Sequence, residues 1–147
     1  MQLDRFKKWQ SGEDVLTNIS CKFVQGDRLE GIVVGGNIRC FLKLAGTPYW
    51  PDLTDKVLLL EARGGGVAQM TTYLSQLQQL GAFEKVRGVL LGTFTQMERE
   101  NQQPDMVSLV RSFVGEELPV AKTRDIGHGA DAKGIIIGKK IHVTKRV

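Results

Sequence analysis

Apolar and polar residues along the chain predict a series of short strands interrupted by amphipathic helices. From Cys21 onward, apolar residues alternate with polar ones or run together on both sides of the Gly26-Asp27 pair, which predicts a β-hairpin. A glycine pair then ends the second strand. Asn37 is suited to cap a short helix that Gly46 ends. The first part of the domain therefore reads as strand, strand and helix.

The middle of the sequence has the pattern of a strand, a helix and a second strand. Val57–Leu60 is a continuous apolar run, which is typical of a strand that is covered on both faces. Between residues 67 and 80 the apolar residues recur at helical spacing, and Gly81 ends that helix. Residues 87–94 form a second buried strand. One helix joins the two strands, so we expect them to be parallel.

The remaining pattern completes an α/β fold. A polar loop over residues 95–103 precedes a helix that starts after Pro104 and turns its apolar residues inward. Residues 118–121 predict a short strand, and residues 134–147 a closing hairpin that turns near Gly138. We expect a parallel sheet flanked by helices and a second, antiparallel sheet.

Composition places the chain among ordinary globular proteins. It has 147 residues, of which 41% are apolar and 24% charged, the usual size and make-up of one domain with a substantial core. No apolar run approaches the ~20 residues that cross a bilayer, and the first residues do not resemble a signal peptide. The only cysteines, Cys21 and Cys40, have no CxxC spacing and are interpreted as small apolar fillers. These features favour a reducing cytoplasm and no membrane partner.

The positive charge is concentrated near the end of the chain. The net charge is +4, from 20 lysines and arginines against 16 acids, and residues 133–147 contain five cations and no acid. Such a cluster raises the question of nucleic-acid binding. The cations are interleaved with an apolar strand pattern and have no aromatic stacking residue nearby. We therefore expect a solvated strand face or a guarded sheet edge, and no nucleic-acid partner.

Two titratable residues stand where catalytic groups are commonly found. Glu61 directly follows the first buried strand, and catalytic groups in βαβ sheets gather at the carboxyl ends of the strands. The glycines at Gly64–Gly66 would let another backbone come close. A carboxylate at this position needs a partner to offset its desolvation. His128 lies between glycines on a loop, with an unobstructed imidazole suited to proton transfer. The second histidine, His142, lies in a strand and is interpreted as structural or exposed.

The residues alone do not provide a nucleophile for this pair. No serine stands in a GxSxG setting, and three of the five lie within predicted helices: Ser11, Ser20, Ser75, Ser108 and Ser112. Two distant histidines without clustered acids or thiolates do not make a metal site, and no complete phosphate-binding glycine motif is present. We therefore predict no metal or cofactor. The alternative is a non-catalytic interaction domain that exposes apolar residues such as Tyr49 and Trp50.

Several motifs in a fixed order resemble one enzyme family. Residues 31–66, the segment GAFEKVRGVLLGTF and the IGHG motif resemble the C-terminal domain of the serine LD-carboxypeptidases, which include muramoyltetrapeptide carboxypeptidases and microcin immunity peptidases. The likeness begins near Ser20. It implies that residues 20–147 form this domain, with a swivelling β/β/α fold, and that residues 1–19 are a linker or a severed N-terminal end.

The resemblance also implies a catalytic arrangement. The family uses a serine, a histidine and a glutamate, with the serine on an N-terminal domain and the other two on the C-terminal one. The family's glutamate matches Glu61 and its histidine matches His128. No residue here matches the serine, so the chain alone is expected to be inactive.

The family's substrates define the expected partners. Members cleave the amide bond between a diamino acid and the terminal D-alanine of murein tetrapeptides, a cytoplasmic step of peptidoglycan recycling, and many are homodimers. The resemblance thus implies a peptide substrate, the N-terminal domain and a second copy as partners. Many relatives have further acids soon after the glutamate, whereas this chain continues Ala62-Arg63-Gly64. This departure bears on substrate preference, and a microcin-like amide is the alternative substrate.

Overall fold

One six-stranded mixed sheet runs through the molecule, with the strand order β1-β5-β4-β3-β2-β6. The structure is a computed structural model, and it describes residues 2–15 and 18–144. The strands are β1 (Lys22–Gln25), β2 (Arg28–Asn37), β3 (Lys56–Ala62), β4 (Gly88–Phe94), β5 (Val120–Lys122) and β6 (Lys140–Thr144). The helices are α1 (Gln2–Gln10), α2 (Ile38–Leu42), α3 (Val67–Gln79), α4 (Ala82–Lys85), α5 (Thr95–Arg99) and α6 (Met106–Val114).

The α/β class is confirmed, and the centre of the sheet is parallel as expected. Strand β3 pairs in parallel with β2 and β4, and β4 pairs in parallel with β5. The antiparallel pairs, which we expected in a second sheet, lie at the two edges of the same sheet, where β1 pairs with β5 and β6 pairs with β2. The carboxyl ends of the parallel strands consequently share one edge.

The predicted hairpin around Gly26-Asp27 is wrong. Strand β1 pairs with β5, and β2 pairs with β3 and β6, so the two strands are not neighbours in the sheet. In a flat sheet four strand spacings would separate them by ~19 Å. The chain from Gln25 to Arg28 spans at most ~11 Å. The sheet must therefore curl, which brings the start of β2 back toward β1.

The predicted closing hairpin is also wrong in its first half. Residues 134–137 form no strand, and β6 pairs with β2 instead. Gly138 does make the turn, with φ +89°, and its N–H donates to the carbonyl of Val33. Residues 145–147 of this prediction lie outside the described residues.

Three lysines of the basic segment pair with carboxylates: Lys133 with Asp125, Lys139 with Asp14 and Lys140 with Glu30.

Helices α2, α3 and α6 follow the sequence pattern, and the short helices α4 and α5 are additions to it. Helices α3 and α6 occupy the predicted segments, and the Asn37 side chain caps α2 by accepting from Cys40 N at 3.2 Å. The segment 95–103, expected as a polar loop, begins with the short helix α5. None of the described helices has the length and apolar character needed to cross a membrane.

Both faces of the central strands are covered, which explains their uninterrupted apolar runs. On β3, Leu58 and Leu60 face the core that the helices cover, whereas Val57 and Leu59 belong to a second apolar cluster on the opposite face. All four are essentially inaccessible to solvent. Each such side chain contributes about 1.5–3 kcal/mol through burial. This packing holds β3 rigidly, and β3 carries the candidate acid.

Candidate active site

Glu61 lies at the carboxyl end of β3, at the shared edge of the parallel strands. Its register partner on β2 is Asn37, the residue that caps α2. Glu61 is only 8% exposed and, with Thr123, is one of two buried polar residues among the described residues. The strand ends one residue later, so the acid sits where the sheet opens to solvent.

A glycine loop after β3 is attached to α5. The Gln96 backbone N–H donates to the carbonyl of Arg63 at 3.0 Å, and its side chain accepts from Gly65 N at 2.8 Å. An added Cβ at Gly65 would meet the side chains of Gln69 and Met70. The close backbone approach that we expected at these glycines therefore does not occur at Gly65. Gln96 was missed from the sequence, although its place just after a buried strand was a usable signal.

The loop that carries His128 packs closely on β4. Thr93 N donates to the carbonyl of Ile126 at 2.8 Å, and Ile126 is buried. Gly127 has φ +145°, and a Cβ there would lie 1.8 Å from Thr93 Oγ1. A Cβ at Gly92 would lie 2.6 Å from the Ile126 carbonyl. Only glycines allow the loop to approach β4 this closely, and that approach brings His128 toward β3.

Glu61 and His128 are adjacent in the structure. Glu61 Oε2 lies 3.1 Å from His128 Nε2, within the range expected of a hydrogen-bonded pair. The carboxylate oxygen is nevertheless without a well-aligned hydrogen bond among the described residues, so the ring is close but not ideally oriented. The His128 side chain is 41% exposed and the Glu61 side chain 10%. The acid of the pair is therefore buried, whereas its imidazole is accessible to solvent.

His128 lines an open cleft of about 610 Å³ at the carboxyl edge of the sheet, and Glu61 lies next to its ring. The ends of β2 and β3, helix α5 and the loop of His128 contribute to its lining. Its polar lining includes three arginines, Arg39, Arg63 and Arg99. A cleft at this edge is the usual location of ligands in βαβ sheets. His142, by contrast, lies on β6 with an exposed side chain 3.4 Å from Glu30.

The described part of the cleft contains no serine. Ser75 and Ser112 lie in α3 and α6 and donate to the backbone of their own helices. Among the described residues, no group of three or more histidines, cysteines and acids is placed to hold a metal ion. The described residues of the cleft thus place an acid and an imidazole side by side, and no serine hydroxyl lies beside them.

Asp125 anchors the loop of His128, a role that the sequence reading missed. Its carboxylate accepts from Ser20 N at 2.8 Å and pairs with Lys133 at 2.9 Å. Partial burial by itself would raise the pKa of this carboxyl, but the hydrogen bonds from Ser20 and Lys133 hold the pKa below its ordinary value. An acid three residues before the histidine was the available signal.

We expect Asp125→Asn to loosen this loop. Charge-assisted hydrogen bonds contribute about 1.5–3 kcal/mol in buried settings, so a loss of about 1–2 kcal/mol in the free energy of unfolding is expected at neutral pH. Since the folded-state pKa is lowered, the contribution is present above the unfolded value near 3.9 and is lost as pH falls through the folded value. Urea unfolding at pH 7 and at pH 3 would measure this. The difference between wild type and variant should shrink at pH 3, and a constant difference would contradict the assignment.

The comparisons with known proteins agree with this architecture. Residues 30–143 match the model of the LD-carboxypeptidase C-terminal domain. A Treponema pallidum protein named as a carboxypeptidase is 28% identical over 142 residues, which is 96% of this chain and 42% of that protein. The microcin C7 self-immunity protein MccF of Escherichia coli is 24% identical over 127 residues, 84% of this chain and 37% of that protein. The chain thus spans about two-fifths of these relatives.

Solved structures show the same fold. The crystal structure of a muramoyltetrapeptide carboxypeptidase from Oxalobacter formigenes matches with a TM-score of 0.77 at 23% identity, covering 99% of this chain and 51% of that one. Wild-type MccF without ligand matches with a TM-score of 0.70 at 20% identity, covering 88% and 42%. The family match extends over more than three-quarters of the residues. The chain belongs to the family of LD-carboxypeptidase C-terminal domains.

Proposed function

We propose that this domain supplies the acid and the base of a serine LD-carboxypeptidase, with the serine on another domain. The adjacency of Glu61 and His128 at the mouth of a cleft is the observation that carries the proposal. A non-catalytic interaction domain could also pair a buried acid with a histidine, but it would not require the imidazole to line a cleft at the carboxyl edge of the sheet. Together with that position, the separation of 3.1 Å therefore favours the catalytic role.

In the proposed mechanism His128 accepts the proton of the serine hydroxyl as that oxygen attacks the scissile carbonyl. Glu61 orients the ring and stabilises the imidazolium that forms. Since Nε2 faces Glu61, the other ring nitrogen, Nδ1, is the base. The imidazolium then returns the proton to the leaving amine, and water hydrolyses the acyl-enzyme with His128 again as base. Hydrogen bonds that are poorly aligned without substrate commonly tighten in the reacting complex.

The proposed reaction is hydrolysis of the amide bond to the terminal D-alanine of a murein tetrapeptide. A homodimeric enzyme in the cytoplasm, acting in peptidoglycan recycling, is part of the same proposal. The similarity to MccF supports a second candidate, hydrolysis of a microcin-like amide. Both reactions would use the same acid and base, and they differ in the groups that the cleft must hold.

The test compares the 147-residue chain with the same chain joined to a family N-terminal domain that carries the serine. We expect no release of D-alanine from a murein tetrapeptide by the chain alone, because loss of a nucleophile reduces kcat by about 10⁶-fold. The joined protein should convert the tetrapeptide to tripeptide and D-alanine, as followed by mass spectrometry. MccF has been solved in complex with glutamyl sulfamoyl guanosine, so turnover of such an aminoacyl sulfamoyl nucleoside instead would favour the MccF-like reaction. Strong activity of the isolated chain would disprove the division of the triad.

A further inference from the structure

The cleft beside Glu61 and His128 has a strongly cationic lining. Arg39 lies on α2, Arg63 directly follows β3, and Arg99 is the last residue of α5. The three come from separate elements, yet all line the same cleft, and no carboxylate side chain is among the twelve described residues that line it. The cleft therefore concentrates positive charge at the edge where the chemistry is proposed.

These arginines have few charged partners of their own. Arg28 and Arg87, outside the cleft, pair with Glu30 and Asp55. Within the described residues, neither Arg39 nor Arg63 has a carboxylate within 4.0 Å. Arg99 has one exposed pair, with Glu100 at 3.4 Å. The guanidinium groups thus keep donors available for an incoming anion.

The cleft is preorganised rather than a random surface patch. Gln96 bonds the backbone of Arg63 to α5, which also carries Arg99. Glu61, with a side chain only 10% exposed, has one carboxylate oxygen without a hydrogen bond among the described residues. A loop held in place by hydrogen bonds keeps Arg63 and Arg99 at fixed positions beside the Glu61–His128 pair, and a buried acid in a cleft is typical of a functional site.

We propose that Arg39, Arg63 and Arg99 form an anion subsite that binds a carboxylate of the substrate next to the Glu61–His128 pair. A planar guanidinium matches the two oxygens of a carboxylate in geometry and charge. The carboxylate has two sources, the C-terminus of the leaving residue or an acidic side chain of the peptide. The proposal deepens the proposed function, on which it rests for the reaction, whereas anion binding itself is measurable without turnover.

Cys40 provides a reporter inside the cleft. Its side chain is exposed, and it is one of the lining residues. Burial raises the pKa of the other cysteine, Cys21, to about 11, so its thiol stays protonated at pH 7.5 and reacts slowly with alkylating reagents. Alkylating reagents should therefore modify Cys40 selectively, and the site of modification can be checked by peptide mass spectrometry.

The first test compares alkylation of Cys40 by anionic iodoacetate and by neutral iodoacetamide, each relative to a small model thiol. At ~10 mM ionic strength a positive charge ~7 Å from a thiol raises the local concentration of a monoanion by about threefold, so the cleft arginines should raise the relative iodoacetate rate at Cys40 by a factor of this order each. Arg63→Gln should lose about that factor. Arg87→Gln removes one positive charge just before the amino end of β4, outside the cleft, and should leave the relative iodoacetate rate unchanged. Equal effects of the two variants, or no preference for iodoacetate in the wild type, would overturn the subsite.

The second test identifies the source of the carboxylate by protection of Cys40 from iodoacetamide. The probes are N-acetyl-L-lysyl-D-alanine, its C-terminal amide, and N-acetyl-L-glutamyl-D-alanine amide. Protection by the first alone assigns the C-terminal carboxylate, and protection by the third alone assigns an acidic side chain. Protection by the first and third probes, but not by the second, supports a subsite that accepts a carboxylate from either source. Equal protection by all three, or none by any, would overturn it.

These tests separate the subsite from the reaction. Charge preference at Cys40 together with an inactive joined protein would leave the subsite standing and disprove the proposed hydrolysis. An active joined protein whose Cys40 shows no preference for iodoacetate would support the proposed hydrolysis and disprove the subsite. In the active joined protein, Arg63→Gln should raise KM by at least about tenfold with a smaller change in kcat, because a binding contact is lost while the acid and base remain.

Discussion

Replacing His128 with alanine, in this chain joined to a serine-bearing N-terminal domain, is expected to lower kcat by about 10⁴- to 10⁶-fold. The ring is the group that lies against Glu61 and opens to the cleft, so its loss removes the proposed base. Release of D-alanine from a murein tetrapeptide measures the effect. His142→Ala is the matched control, since His142 is exposed on β6 and should leave kcat unchanged.

Glu61→Gln tests the orienting role separately. The amide keeps the shape of the carboxylate but can no longer stabilise an imidazolium, so we expect a loss of about 10⁴-fold in kcat. The double variant should be little worse than His128→Ala, because residues that act as one unit are not additive. More than a tenth of wild-type activity in His128→Ala, or fully additive losses, would contradict the acid–base assignment.

Gly35→Ala is expected to have the largest effect on stability. Gly35 lies on β2 with φ +105°, and an added Cβ would lie 2.2 Å from the backbone oxygen of Leu59 on β3. Backbone of a central strand cannot move aside as a flexible side chain can. Backbone strain of about 1–2 kcal/mol and overpacking of about 1–3 kcal/mol together predict a loss of about 2–5 kcal/mol.

The neighbouring glycine offers a matched control. Gly36 also has a positive φ, +134°, but an added Cβ there would meet nothing within 4 Å. Gly36→Ala should therefore lose only the backbone contribution of about 1–2 kcal/mol. Thermal unfolding should separate the two by several degrees, since 1 kcal/mol shifts Tm by about 2–4 °C at this size. Equal Tm values would show that contact between the added Cβ and β3 does not contribute to the loss of stability.

Much of the candidate site could be predicted from local pattern. The uninterrupted apolar run of β3 and the helix that follows it specify a buried parallel strand, and therefore an edge where Glu61 must lie. The arginines were not singled out, because an exposed arginine in a sequence has no signature that separates a cleft from an ordinary surface. Only the convergence of α2, α5 and the loop after β3 on one cleft distinguishes them.

Strand pairing was the least predictable part of the fold. The Gly26-Asp27 pair is a strong local hairpin signal, but β1 gains its partner from β5, almost a hundred residues later, and the curl of the sheet decides this. Residues 134–137 similarly have the composition of a strand, but no strand forms there. Such pairings depend on long-range contacts that no local window contains.

By itself the sequence determined the class of the fold, the central βαβ unit and the likeness to one peptidase family. It also singled out Glu61 and His128 as the candidate acid and base, and it offered no nucleophile for them. The tertiary structure decided how strands at the two edges pair and how the loop of His128 approaches Glu61 to 3.1 Å. The physical reason is that periodicity and turn chemistry act over a few residues. Distances between residues 61 and 128 depend instead on packing across the whole sheet.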